Sequence, residues 1–377
     1  PGAPIHGDAR LVSKPSELRR LTRGWREGRP PEGGTLAVGT LGGEIRLVDS
    51  VHACVLAESG EGKSRRVAIP SALANFLMGR SLVINDIKGE LRAYLEPYFR
   101  RAGTHRIVDV MFDAPAASAR FDPLERAKAA YRDEGHGGAT RELRELARCI
   151  VPSALKGQPF FTDNARNLFV GIALRIIMDD DIPEERKTVM SVAAALAPSG
   201  QESALDRIAA LVSELPPGHP SLPFLSGING ESGGAPGVVS TLTTYLSEYA
   251  DGNVAPMLHG DECGLDRIGE EPTAFFVSSS SATGNYKRLV QTFVAQSLSA
   301  LRVCAARHAG RCPVETVLVL DEAASLGRNE RTIQDLGEMR SEGIHILWFC
   351  QSLLQLQSVS GYTREEAETI FDLLKDK

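Results

Sequence analysis

Residues 51–79, VHACVLAESGEGKSRRVAIPSALANFLMG, join a short apolar run to a helix-like run through a loop of small and charged residues. The loop, residues 57–64, fits the phosphate-binding P-loop pattern when alanine is allowed at its first position. A helix that starts at such a loop also points the positive end of its dipole at a bound anion. The order of strand, loop and helix predicts a nucleotide site, with an ordinary strand-to-helix turn as the alternative.

The loop supplies the groups that a nucleoside triphosphate requires. Gly60 and Gly62 let backbone N–H groups approach phosphate, Lys63 reaches the β and γ oxygens, and the Ser64 hydroxyl ligates Mg²⁺. We therefore predict ATP and Mg²⁺ as cofactors. Nucleotide binding is assigned to the loop and the arginine that follows it, namely Ala57, Glu58, Ser59, Gly60, Glu61, Gly62, Lys63, Ser64 and Arg65.

Two positions depart from the usual motif. Ala57 replaces the first glycine, and because it ends the strand, a small side chain is expected to suffice there. Glu61 carries a negative charge, and we expect its side chain to point outward because the loop binds through its backbone. The charge on Glu61 can still weaken the binding of an anion.

Six apolar runs predict buried strands. Each is continuously apolar rather than alternating, as in parallel sheets that are covered on both faces, and helical patterns lie between several of them. This alternation predicts an α/β fold with a doubly wound, mostly parallel sheet. The runs are residues 51–57, 81–86, 105–112, 273–279, 316–321 and 344–351.

Helix-like segments follow one another between residues 123 and 255, with no convincing strand. This pattern predicts an all-α domain that is inserted between two parts of the sheet domain. The predicted organisation is residues 1–50 as a membrane-proximal segment and the start of the nucleotide-binding domain, 51–122 as its first part, 123–255 as the all-α insert, and 256–377 as its second part.

The run TVLVLDE, residues 316–322, delivers two carboxylates to the carboxyl edge of the sheet, where ligands of such folds bind. We predict that Asp321 holds Mg²⁺ and that Glu322 acts as a general base on water. An apolar run that ends in Asp-Glu is weak evidence alone, but its pairing with a P-loop favours nucleotide hydrolysis. The sequence therefore predicts an ATPase.

Two further side chains are predicted to serve catalysis. Gln351 ends the last apolar run, where we expect it to contact the γ-phosphate or the attacking water; a helix-capping or loop glutamine is the alternative. Arg340 precedes that run at the opposite edge of the sheet, so we expect it to reach a neighbouring subunit's nucleotide, which makes hydrolysis depend on ring assembly. The predicted catalytic residues are thus Lys63, Glu322, Arg340 and Gln351. Residues 85–90, NDIKGE, also end a strand near the site, but no role is assigned to them.

Charge is distributed unevenly along the chain. The net charge of -6 argues against a protein that simply coats nucleic acid, yet residues 1–124 carry +4 and the remainder -10. Five arginines within residues 19–29 are expected either to face anionic lipid or nucleic-acid phosphate, or to form a solvated basic surface. The acidic remainder favours protein partners over bare DNA in that part of the chain.

The six cysteines and eight histidines show no metal-ligand spacing, and we interpret them as structural or surface residues of a protein in a reducing cytoplasm. No apolar stretch near 18 residues is evident, so no bilayer-spanning segment is expected. The sequence starts at Pro1 without a methionine. We therefore expect a soluble part of a longer chain whose missing end held a membrane anchor.

Six segments stand in a fixed order that covers nearly the whole chain: HGDARLVSKPSELRRL (6–21), SLVINDIKGE (81–90), ARFDPL (119–124), PFFTDNARNLFVGIAL (159–174), LVLDEAASLGR (318–328) and GIHILWFCQSLLQL (343–356). Together with the P-loop, they resemble the VirD4/TraG family of type IV secretion system coupling proteins, the conjugative DNA-transfer ATPases. The resemblance implies a RecA-like P-loop NTPase domain with an inserted all-α domain. It also implies a membrane-anchored homo-hexameric ring at the cytoplasmic face of the bacterial inner membrane.

The same resemblance implies partners and residue roles. The partners are a relaxase or relaxosome with bound single-stranded DNA, or effector proteins, and the components of the type IV secretion channel. By position, the family's Walker A motif falls on residues 57–64 and its Walker B motif on Asp321 and Glu322. Its trans-acting arginine falls on Arg340 and its sensor glutamine on Gln351.

The chain departs from the family's pattern in three ways. No transmembrane helices precede the HGDAR segment, the sequence ends soon after the sensor strand, and the P-loop carries Glu61. Two other functions stay open. One is a nucleotide-loaded platform that recruits substrate with little hydrolysis. The other is a DNA translocase of the chromosome-segregation (FtsK/HerA-like) type, which would not predict the PFFTDNARNLF segment.

Overall fold

The computed structural model describes residues 14–26, 28–50, 52–58, 60–153, 159–198, 200, 202–228, 234–279, 286–328, 330–352 and 354–374. The HGDAR residues and Ser59, which the sequence analysis singled out, lie outside these ranges.

A small antiparallel sheet precedes the main domain. Its strands are β1 (Arg23–Trp25), β2 (Leu36–Leu41) and β3 (Glu44–Val48), in the order β1-β3-β2. Trp25, Ala37 and Leu47 form its buried side. This sheet is not predicted from the sequence, because its strands are short and each of them contains a glycine or a charged residue.

The main domain is built on a six-stranded sheet in which every neighbouring pair is parallel. The strand order is β4-β9-β8-β5-β7-β6. These strands fall on the six predicted apolar runs, so the α/β prediction with a mostly parallel sheet is confirmed. They are β4 (His52–Leu56), β5 (Ser81–Asn85), β6 (Arg106–Met111), β7 (Thr273–Ser278), β8 (Thr316–Leu320) and β9 (Ile344–Cys350).

The helices are numbered along the chain, and a π-helical turn, Ser64–Ala68, leads directly into the second of them. They are α1 (Pro15–Leu21), α2 (Ile69–Leu77), α3 (Glu90–Ala102), α4 (Glu125–Ile150), α5 (Pro159–Met178), α6 (Val189–Leu196), α7 (Ala204–Ser213), α8 (Leu222–Leu225), α9 (Ala235–Leu246), α10 (Lys287–Arg307), α11 (Glu330–Glu342), α12 (Leu354–Ser358) and α13 (Arg364–Leu373).

Both faces of the main sheet are covered by helices, which explains why its strands are apolar throughout. Leu82 and Ile84 of β5 pack into a core with α2 and α3, including Phe76 and Phe99. Val83, which points the other way, belongs to the larger core that contains α10 and the helices of the insert. The sheet is therefore the middle layer of a three-layer fold.

Helices α4 to α9 follow one another between β6 and β7. Helix α5 lies at their centre, and most of its side chains are buried. Gly171 on α5 lets α8 approach closely, since a Cβ there would stand 2.6 Å from Leu225 Cδ2. Helix α4 is broken at Gly135, whose backbone has a φ of 71°.

Helix α10 requires one correction to the sequence analysis. By length and apolar composition it is long enough to cross a bilayer, although no such stretch was expected. Within the described residues, however, 67% of this apolar stretch is buried in the protein. Leu289, Phe293 and Leu301 lie in the core, so α10 is packed as a core helix.

Candidate nucleotide-binding site

The predicted site residues converge because of the strand order. The P-loop follows β4, Gln351 follows β9, Asp321 and Glu322 follow β8, and Asp86 follows β5. Since β4, β9, β8 and β5 are parallel neighbours, all four segments leave the sheet at its carboxyl edge. With strands about 4.8 Å apart, the P-loop strand and the Asp321 strand lie about 10 Å from each other.

The P-loop turns at two glycines whose backbones are left-handed. Gly60 has a φ of 89° and Gly62 a φ of 88°, which L side chains rarely adopt. Beyond Gly62, the chain enters the π-helical turn at Ser64 and continues into α2. The local sequence thus produces the predicted path from strand through loop to helix N-terminus.

Lys63 is held at the base of the loop. Its Nζ donates to the carbonyl oxygen of Ala57 at 2.7 Å and lies 3.5 Å from that of Cys350. Both acceptors stand at the ends of neighbouring strands, β4 and β9. The ammonium group is therefore placed between the P-loop and the Gln351 strand, where a nucleotide phosphate would compete for it.

Glu61 does not simply point into solvent as expected. Its side chain is exposed, but Glu61 Oε2 accepts a hydrogen bond from the Glu58 backbone N–H at 3.2 Å. The carboxylate thereby engages one of the loop amides that the sequence analysis assigned to phosphate. Glu58 and Arg65 are also exposed on this loop.

Two carboxylates are buried side by side at the carboxyl edge of the sheet. Asp321 is 5% exposed and Asp86 is 1% exposed. Burial raises the pKa of Asp86 to about 6, with a further contribution from the nearby charge of Asp321. Burial also raises the pKa of Asp321, and the adjacent Glu322 charge acts in the same direction. Two buried acids of this kind favour a cation between or beside them.

The donor set at this edge fits Mg²⁺. Asp86 Oδ2 accepts the backbone N–H of Arg92 at 2.7 Å, but its buried Oδ1 has no hydrogen-bond partner among the described residues. Carboxylate and hydroxyl oxygens are the ligands that this ion prefers. Asp321 and Ser64 would therefore hold Mg²⁺, and Asp86 adds a third oxygen-bearing group that the sequence analysis did not assign.

Glu322 is fixed in an unusual conformation. Its backbone φ is 53°, which lies in the left-handed region that non-glycine residues rarely adopt. Lys88 Nζ donates to Glu322 Oε1 at 2.6 Å, and this bond raises the pKa of Lys88. A strained backbone and a paired carboxylate at the same residue mark a position where orientation matters.

Gln351 and Arg340 lie at opposite edges of the sheet. Gln351 is half-buried beside the P-loop, and its backbone N–H donates to Gln355 Oε1 at 3.1 Å. Arg340 is exposed on the last turn of α11, which leads into the amino end of β9. The structure therefore brings Lys63, Asp321, Glu322 and Gln351 together and leaves Arg340 outside this group.

Asp86 and Lys88 are the residues whose contribution the sequence analysis missed. They lie in NDIKGE, which was noted near the site without a role. Asp86 directly follows an apolar strand, as Asp321 does, and this shared signal was available in the sequence. The adjacency of β5 and β8 was not, because 230 residues separate the two strands along the chain.

The chain is similar to known proteins of one family. The family described as Type IV secretory system Conjugative DNA transfer matches residues 17–374. Two curated relatives, each named Conjugal transfer protein TraG of Escherichia coli, are 24% identical to the chain over 340 and 341 residues. The match covers 84% of this chain and 51% of each relative, so the chain spans about half the length of the curated relatives it matches.

Solved structures of the plasmid coupling protein TrwB have the same fold. The complex with the non-hydrolysable ATP analogue ADPNP covers 99% of this chain and 79% of its own, with a TM-score of 0.69 and 18% identity. The complex with ADP and Mg²⁺ has the same coverage, a TM-score of 0.68 and 18% identity. This similarity confirms the expected RecA-like P-loop NTPase fold.

Proposed function

Because this chain belongs to the type IV secretory system conjugative DNA transfer family, we propose that it is the ATP-hydrolysing part of a coupling protein. The observation that carries the proposal is the meeting of the P-loop, the Asp321–Glu322 pair and Gln351 at one edge of the sheet. The proposed role is to deliver relaxase-bound single-stranded DNA, or protein substrates, to a type IV secretion channel.

The chain's own residues divide the chemistry among them. Lys63 leaves the carbonyl of Ala57 and binds the β and γ phosphates, while the loop amides bind their oxygens. Ser64 and Asp321 would hold Mg²⁺, which would neutralise charge on the phosphates. Glu322 accepts a proton from the attacking water, and Gln351 orients that water from the strand between the two motifs.

The TrwB complexes support this assignment by analogy of fold. TrwB has been solved with an ATP analogue and with ADP and Mg²⁺. We propose that the present chain binds the same cofactors at the corresponding edge of its sheet. The buried, unpartnered Asp86 Oδ1 within the described residues supports a cation there independently of the comparison.

We further propose that Arg340 acts on a neighbouring subunit in a homo-hexameric ring. It lies at the sheet edge opposite its own P-loop, which argues against an intramolecular role at the nucleotide. In a ring of identical subunits, the amino edge of one sheet can face the carboxyl edge of the next. The same proposal places the ring at the cytoplasmic face of the bacterial inner membrane.

The helical segment of residues 123–255 is proposed as the part that recruits substrate proteins, and residues 51–122 and 256–377 as the two parts of the motor. A second candidate function is a nucleotide-loaded recruitment platform with little hydrolysis. The Glu61 carboxylate on a loop amide does not favour it, because a negative charge in the phosphate site weakens binding of the nucleotide that the platform would hold. A DNA translocase of another type is not favoured, because the family match includes the helical insert.

The test separates binding from turnover. Binding of ATP and its hydrolysis are measured for the wild type, Lys63→Ala, Glu322→Gln and the exposed control Glu368→Gln. We expect Lys63→Ala to lose binding, and Glu322→Gln to bind ATP but hydrolyse it at least about 100-fold more slowly. Unchanged turnover in Glu322→Gln would overturn the motor assignment. Tight binding without turnover in the wild type would favour the platform.

A further inference from the structure

A group of potential metal ligands lies at the other edge of the sheet. Cys304 is in the last turn of α10, His308 follows the helix, and Glu270 lies just before β7. The chain then reverses at Ala309 and Gly310, whose φ values are 56° and 89°. This reversal returns Cys312 to the end of α10, before β8 begins.

The ligand atoms are already close to metal-binding distances. The Cys304 sulfur, a His308 ring nitrogen and a Glu270 carboxylate oxygen lie within 4.8 Å of one another. His308 Nδ1 is 3.7 Å from Cys304 Sγ. Ligands of a tetrahedral zinc ion, bound at about 2.0 to 2.3 Å, stand about 3.3 to 3.8 Å apart. At most about 1.5 Å of contraction would bring these three groups to coordination distances.

Cys312 brings a second sulfur beside Cys304, although its sulfur is not one of the three ligand atoms that lie within 4.8 Å of one another. A Cβ on Gly269 would stand 2.7 Å from Cys304 Sγ and 3.1 Å from Cys312 Sγ, so only glycine admits both sulfurs at this position. Cys304 and Cys312 are 2% and 3% exposed, whereas His308 and Glu270 are exposed. The two sulfurs are thus buried, and the imidazole and the carboxylate lie at the surface.

We propose that Cys304, His308, Cys312 and Glu270 form a binding site for zinc or a similar divalent transition metal. Two sulfurs, one imidazole and one carboxylate match the ligand preferences of zinc, and four ligands give a closed structural site. Binding displaces two thiol protons to solvent and joins the end of α10 to the segments before β7 and β8. No metal-ligand spacing is evident here from the sequence alone, because the pattern C-x3-H-x3-C becomes a site only through the turn at residues 309–310.

The alternative is a pair of ordinary core cysteines. Cys312 Sγ donates to the Leu301 carbonyl oxygen at 3.3 Å, which is a typical contact of a buried thiol. His308 Nδ1 also lies 3.0 Å from the Cys304 carbonyl oxygen, a local contact at the end of the helix. Neither contact explains the carboxylate of Glu270 beside the sulfur and the imidazole. A cation would use all four groups at once, and a metal measurement distinguishes the two interpretations.

The experiment uses the full chain, purified with a chelator and a non-thiol reductant and then incubated with zinc. Zinc retained after desalting is measured by elemental analysis, and the Co²⁺-substituted protein is examined for thiolate-to-cobalt absorption. We expect about one zinc ion per chain and an absorption signature of tetrahedral thiolate coordination. Cys304→Ser, Cys312→Ser and His308→Ala should each weaken zinc binding at least about tenfold.

Two matched controls keep the result interpretable. Cys149→Ser removes a cysteine of α4, and His136→Ala removes an exposed histidine, and both should retain zinc. Because His308 is exposed, His308→Ala removes a ligand without opening the core. Failure of the wild type to retain zinc would overturn the proposal. So would zinc retention in His308→Ala and Cys304→Ser equal to that in the controls.

Discussion

Lys88 and Glu322 form an ion pair across the candidate site, with Lys88 Nζ 2.6 Å from Glu322 Oε1, although 234 residues separate them in the sequence. Lys88 lies in the segment after β5, and Glu322 lies in the segment after β8. The pair therefore links the ends of two strands at the carboxyl edge of the sheet. It holds one carboxylate oxygen of Glu322, the residue that is proposed to act on water.

Removing Lys88 is predicted to slow hydrolysis more than it weakens binding. Lys88→Met should lower kcat about tenfold with little change in KM, because Glu322 loses its orientation but the P-loop is intact. Lys88→Arg should retain most of the activity. Since the pair is partly exposed, its loss should cost less than about 1 kcal/mol of stability.

Steady-state ATP hydrolysis and thermal unfolding of the variants check this prediction, with the exposed Lys14→Met as the charge control. Full turnover in Lys88→Met would rule out a positioning role. An equal loss of nucleotide affinity would instead assign Lys88 to binding.

Neutralising Glu61 is predicted to tighten nucleotide binding. Glu61→Gln keeps an acceptor for the Glu58 N–H but removes a negative charge from the phosphate loop. A carboxylate beside a phosphate at a partly solvated site costs about 1 kcal/mol of binding free energy. Removing this charge should therefore raise the affinity for nucleotide roughly fivefold. Calorimetric titration with ATP at low and high salt measures the effect, which should shrink at high salt.

The control is Glu32→Gln, which removes the same charge from an exposed residue outside the site and should leave the affinity unchanged. An unchanged or weaker affinity in Glu61→Gln would mean that the carboxylate supports the loop rather than opposing the anion.

Asp86 is predicted to make stability depend on pH when no cation is present. An acid whose pKa is raised in the folded state, here from 3.8 to about 6, binds protons more readily when folded. It therefore adds stability as the pH falls through 6 toward 4 and costs stability above 6. With a chelator at pH 7.5, Asp86→Asn should be more stable than the wild type by about 1 to 2 kcal/mol.

Denaturant unfolding at pH 7.5 and pH 5 tests this, with the exposed Asp133→Asn as control. The stability advantage of Asp86→Asn should shrink at pH 5, since the wild-type carboxyl is then largely protonated. Addition of Mg²⁺ and nucleotide at pH 7.5 should stabilise the wild type more than the variant. A constant difference across the two pH values would show that Asp86 does not titrate as described.

Local features of the fold could be predicted from the sequence. The six parallel strands are continuous apolar runs, and the P-loop has its own glycine pattern, so both can be recognised without tertiary information. The small sheet of β1 to β3 was missed because its strands are short and partly exposed. Its stability depends on packing against the main domain rather than on its own pattern.

The details of the site depended on tertiary structure. Strand order decides that Asp86 lies beside Asp321 and that Lys88 reaches Glu322, and no local pattern encodes strand order. The turn of Glu61 onto the Glu58 amide is likewise set by loop geometry. Motif positions could be predicted, whereas the contacts between motifs could not.

The P-loop, Asp321 and Glu322 are proposed to form an ATPase site that Arg340 of a neighbouring subunit completes. The most direct test measures ATP hydrolysis per chain against protein concentration for the wild type, Lys63→Ala, Arg340→Ala and an equal mixture of the two variants. We predict turnover that rises with concentration in the wild type, none in either variant alone, and partial recovery in the mixture, where intact P-loops face intact arginines. An inactive mixture beside an active wild type, or an Arg340→Ala variant as active as the wild type, would rule out a site shared between subunits.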